Sequence, residues 1–131
     1  MATTAAEDLQ ALQGIWEQVG LEVDGVSNPP DAHSLPGALT TFTENQFEVR
    51  ASDGELLLAG SVALDPSFTP KQFDCLDSMG ADEGKRLPGI YGLEGDTFVF
   101  ILANEGDPRP QVFRTGPGQT LRTFVRWSRR S

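Results

Sequence analysis

The chain has 131 residues, 38% of them hydrophobic and 22% charged, with a net charge of −9, which suits a single domain able to bury a core. All 19 acidic residues lie at or before Asp107, where only Arg50, Lys71, Lys85 and Arg86 oppose them; the remainder carries six arginines and no acid. So acidic a body repels phosphate backbones and argues against nucleic acid as a partner. No apolar run approaches the ~18 residues a spanning helix needs. The N-terminus lacks both the basic start and the apolar stretch of a secretory signal, so the expected location is cytoplasmic, with no membrane partner.

In chain order, residues 4–13 read as a short helix. Thr3 or Thr4 is its N-cap, Glu7 and Asp8 lie in its first turn, and Leu9 and Leu12 share one side. Gly14 stops it. A strand follows in which Val19, Leu21 and Val23 alternate with Gln18, Gly20 and Glu22, ending at Asp24-Gly25. Residues 25–37 hold too many breakers to be an element and read as a loop of lid size. Strands are expected at 38–43 and 46–52 about Glu44-Asn45, and at 55–64 after the turn former Asp53-Gly54. Asp65-Pro66 ends the last of these.

A strand at 70–76 and an acidic loop at 77–84 come next. Residues 86–93 and 96–103 pair about Glu94-Gly95, and a Pro/Gly-rich connector with a short extended piece at 111–114 leads to a last strand at 120–129. Eight strands joined by hairpin-length links predict an all-β antiparallel sandwich or barrel. The domain is then 1–131, with 1–13 a helical cap and 14–129 the barrel. The stretch Thr97–Ala103 is apolar on both faces. Its outer face needs cover, from the N-terminal helix or from a second copy in a homodimer through 96–103.

Leu12-Gln13-Gly14-Ile15-Trp16 and Glu22-Val23-Asp24-Gly25 resemble the opening of a small lipocalin-like domain family common in Planctomycetes. The likeness continues through Thr41-Phe42, Phe47, Ala59 to Val62, Leu64-Asp65-Pro66 and Lys71 to Asp74. It ends with Gly89-Ile90-Tyr91-Gly92-Leu93-Glu94-Gly95-Asp96-Thr97 and Pro108-Arg109-Pro110, so that it spans about residues 9–128. At Gly92 the chain departs from the acidic residue more usual in that family. The resemblance implies an eight-stranded up-and-down calycin-type barrel with one open mouth. It also implies that Trp16 plugs the floor and that a guanidinium from the Arg-rich last strand (Arg122, Arg126, Arg129) stacks on the indole. It brings no catalytic residues.

Catalytic constellations are scarce. His33, the single histidine, sits in the 25–37 loop; Ser27, Ser34 and Asp31 are near it in sequence, but no nucleophile elbow accompanies them. One His and one Cys cannot make a zinc site, and Asp77, Asp82 and Glu83 lack the spacing of an EF-hand loop. Neither a metal nor a cofactor is expected. Cys75 reads as a small buried hydrophobe.

The interior is the remaining candidate. With Trp16 inward, parity sends Gln18, Gly20 and Glu22 inward too. The apolar set Val19, Leu21 and Val23 argues for the opposite face, and the sequence leaves both open. Candidate ligand-contacting residues are Trp16, Gln18, Glu22, Phe42, Phe47, Val62, Phe73, Tyr91, Phe98 and Phe100, a mostly apolar lining suited to a small apolar or aromatic molecule. Eight strands can also be filled completely by side chains. Three functions therefore stand side by side: a small-molecule-binding barrel, an isomerase or cyclase with Glu22 as acid–base and Tyr91 as hydrogen-bond donor, and a packed barrel that works as a protein-interaction domain.

Overall fold

A computed structural model describes residues 3–29 and 37–127. Helix α1 spans Ala5–Leu12 and is started by a reciprocal capping box. The Thr4 hydroxyl accepts from the Glu7 N–H at 3.1 Å, and the Glu7 carboxylate accepts from the Thr4 N–H at 2.9 Å. The strands are β1 (Gly14–Val23), β2 (Val26–Asn28), β3 (Leu39–Thr43), β4 (Gln46–Arg50) and β5 (Leu56–Asp65). After them come β6 (Lys71–Asp77), β7 (Arg86–Glu94), β8 (Thr97–Leu102) and β9 (Thr120–Arg126).

All pairings are antiparallel between sequence neighbours, except that β1 passes over β2 to pair with β3 and returns to pair with β9. The closed ring is therefore the eight strands β1 and β3–β9, the lipocalin-like barrel that the sequence predicts. The short β2 folds back on the outer half of β1 through a turn in which Asp24 and Gly25 both take positive φ, 52° and 83°. The expected loop at 25–37 thus begins as a strand. Its centre, with His33, lies outside the described residues, as does Arg129 at the end of the expected 120–129 strand. The expected extended piece at 111–114 forms no strand.

One irregularity decides which way β1 faces. Between Gln18 and Gly20 the pairing with β9 slips by one residue, so that Gln18 opposes Phe124 and Gly20 opposes Thr123. Val19 is the extra residue of this bulge and is 44% exposed. The slip reverses parity. Trp16 and Gln18 share the inner face with Phe124, whereas beyond the bulge Leu21 opposes Arg122 and Glu22 opposes Leu121. Both open parities are thus realised, one on each side of Val19.

Two ends of the barrel differ. At the floor, α1 lies across the opening, and Trp16 and Leu12 are fully buried. Above them Phe98 is the hub of an aromatic cluster, with ring centroids 6.0 Å from Trp16, 5.8 Å from Phe42 and 6.1 Å from Phe124. Close packing there depends on two glycines. A Cβ at Gly60 would strike the Leu76 carbonyl and the Phe47 ring, and one at Gly89 would strike the Ile101 carbonyl and Leu102.

Outside, the β8–β9 connector runs back over the sheet. Arg109 donates to the carbonyls of Phe73 and Gly89 at 3.0 and 2.9 Å and pairs with Asp74 at 2.9 Å. Phe113 lies beside Gly92, and Thr115 bonds Glu22. Ile90 and Ile101, which face this side, are essentially inaccessible. Cover on this side therefore includes a segment of the same chain, which the sequence reading did not name.

Candidate functional site

The floor is a sealed structure. The Trp16 indole N–H donates to the Leu12 carbonyl at 2.8 Å, and the Arg126 guanidinium lies 4.4 Å from the ring centroid. Arg126 also donates to the carbonyls of Gln13 (2.9 Å) and Ala11 (2.8 Å) and to Asp96 (3.0 Å), so it ties the last strand to the helix C-terminus. Tyr91 belongs to the same end. Its hydroxyl donates to Asp8 of α1 at 2.5 Å, and Lys71 reaches the same carboxylate oxygen at 3.0 Å. Burial pushes the Asp8 carboxyl up, but hydrogen bonds from Thr3, Tyr91 and Lys71 outweigh it and hold the group below its ordinary range. Burial first, then Asp8, drives the Tyr91 phenol far above its usual value.

The other end is hollow. A cavity of about 1000 Å³ occupies the mouth half of the barrel. Of the sequence-predicted set, Gln18, Phe42, Phe47, Val62, Phe73, Phe98 and Phe100 line it. Trp16 and Tyr91 lie in the packed core and do not. The choice between hollow and packed is thus resolved by level: packed at the floor, open above.

Glu22 is the correction. The bulge at Val19 turns it to the outer face, where the Thr115 hydroxyl donates to it at 2.5 Å and the Thr115 N–H at 2.8 Å. Those bonds hold its carboxyl below the usual carboxylate range, the opposite of what an acid–base in an aromatic pocket requires. Tyr91 is bonded to the floor helix, and its β7 position is three strand spacings from β1 (β7, β8, β9, β1), roughly 14 Å. The two candidates for an isomerase or cyclase mechanism do not meet.

Sequence reasoning included Gln18 but missed the charged part of the lining. Arg122 of β9 faces the cavity and donates to the Gln18 side-chain oxygen at 3.0 Å. Asp77 closes β6 two residues beyond Cys75, on the same face, and is 8% exposed. Burial raises its carboxyl, with Asp82 adding to the effect. The Cys75 thiol, a donor to Asp77 at 3.5 Å, is raised by burial and by that carboxylate, and stays protonated. The signal for Arg122 was available: once Arg126 is taken as the residue on the indole, period two puts Phe124 and Arg122 inside with it. Asp77 carried no such signal, because the expected strand stopped one residue short of it.

Among the described residues no cluster of three or more His, Cys, Asp and Glu could hold a metal ion, and no helix is long and apolar enough to cross a membrane. Comparison with known proteins adds no relative: no family model, no curated protein and no solved structure matches the chain.

Proposed function

We propose that the protein is a small-molecule-binding barrel that takes an apolar or aromatic ligand into its mouth-end cavity. One observation carries this reading: a floor that is sealed and fully packed stands beneath a cavity of about 1000 Å³, which is the upper range of a ligand pocket. Natural cores are packed to crystal-like density, so an unfilled mouth on this scale offers room for a ligand. We assign the chain, on the motifs quoted above, to the lipocalin-like domain family common in Planctomycetes, and its location to the cytoplasm.

Native mass spectrometry of freshly purified protein tests the reading directly. The expected spectrum shows a retained small molecule or, after stripping, uptake of the neutral apolar dye phenylnaphthylamine. Leu58→Trp, which adds a ring to the half-buried cavity wall, should abolish dye uptake while leaving the circular dichroism of the barrel unchanged. Equal uptake by wild type and Leu58→Trp would refute the cavity as the binding site.

A further inference from the structure

The cavity combines phenylalanine walls with polar groups, and among these it holds a cation. Arg122 projects from β9 into a space whose walls include Phe42, Phe73, Phe98 and Phe100 together with Thr40 and Asp77. A guanidinium carries five N–H donors in a planar fork. Among the described residues Arg122 makes a single hydrogen bond, to Gln18. Asp77 acts on it through space, and among the described residues no ion pair joins the two. A charge held beside aromatic rings, with most of its donors unmet among the described residues, is costly, and the cost is relieved by an anion that reaches it.

Neighbouring chemistry restricts which anion fits. Asp77, Asp82 and Glu17 line the same space, and Cys75 beside Asp77 is a neutral thiol. A doubly charged group would meet twice the repulsion from these three carboxylates that a singly charged one meets, against a single guanidinium. A planar, singly charged group suits the fork, because a carboxylate accepts two parallel N–H bonds from one guanidinium. We infer that the occupant of the cavity is an apolar molecule bearing a single carboxylate, which docks on Arg122 beside Gln18 while its apolar body lies against the phenylalanine walls.

The inference rests on the binding reading above and deepens it by naming the headgroup. Its test uses three ligands with the same ten-carbon tail, decanoic acid, decanol and decylamine, each titrated against protein loaded with phenylnaphthylamine. Wild type should release dye to decanoic acid at concentrations at least about tenfold below those needed for decanol, with decylamine weakest. Arg122→Gln should weaken decanoic acid about tenfold to a hundredfold, the range for a charged hydrogen bond, and leave decanol unchanged. Arg122→Lys should keep part of the preference, since charge remains and the fork is lost. Dye uptake with equal displacement by acid and alcohol would overturn the headgroup assignment alone. A preference for decylamine would overturn it in favour of Asp77 as the recognising group. Failure of wild type to take up dye or any of the three ligands would overturn the binding reading itself.

Discussion

Single residues set the limits of this barrel. Gly89 sits where β7 presses on β8, and a Cβ there meets the backbone carbonyl of Ile101 and not merely a side chain that could swing away. Gly89→Ala should therefore cost about 2–3 kcal/mol, at the upper end of overpacking penalties. Chemical denaturation by urea would show this as a lower midpoint at unchanged slope. Gly54, which meets nothing within 4 Å but has φ of 93°, should lose far less on the same change, from backbone strain alone. A similar loss at both sites would refute the packing argument. Glu22 illustrates the opposite case: its chemistry is unremarkable until the bulge at Val19 decides which face it serves.

Among the elements, α1 is too short to be stable alone. It is held by what it reaches: Leu12 and the indole below it, and Asp8 between Lys71 and Tyr91. Asp8→Ala leaves a phenol and an ammonium facing each other at a buried site without their shared acceptor. Loss of about 2–4 kcal/mol is expected, with the Leu12 and Trp16 amides losing hydrogen-exchange protection before the strands do. An exchange pattern in which α1 and the strands lose protection together would show that the helix is not a separately latched cap. The β8–β9 connector is latched in the same manner, by Arg109 on two strand carbonyls and Thr115 on Glu22.

At the scale of the molecule, two buried carboxyls give pH dependence of opposite sign. Asp8 has a folded-state pKa below its unfolded value, so its contribution is present above the ordinary carboxylate range and is lost as pH falls through the lowered value. Asp77 has a folded-state pKa above its unfolded value. Its favourable contribution exists below the ordinary range and disappears as pH rises through the raised one. Asp77→Asn should accordingly raise thermal stability at neutral pH, with the gain shrinking as the pH falls through the raised value toward about 4 and absent below it. Melting curves of both proteins across that interval would check it. A gain that grows on acidification would contradict the direction assigned to Asp77.

The architecture was largely legible in the chain. Hairpin turns such as Glu44-Asn45 and Glu94-Gly95 fixed the strand count, and Gly14-Ile15-Trp16 with an arginine-rich last strand foretold the floor on which Arg126 covers the indole. These are local or periodic signals, and the physics behind them, positive φ at turns and alternation along strands, acts within a few residues. What the chain could not declare by itself was anything that depends on pairing across the sheet. The one-residue slip between β1 and β9 exists only when both strands are in register, and it alone turns Glu22 out and leaves Gln18 within. The cavity exists only because α1 and the aromatic cluster fill one end and leave the other unfilled. The hydrogen bond between Arg122 and Gln18 joins β9 to β1 and exists only because the ring closes there, while Asp77 of β6 lines the same cavity from across the barrel.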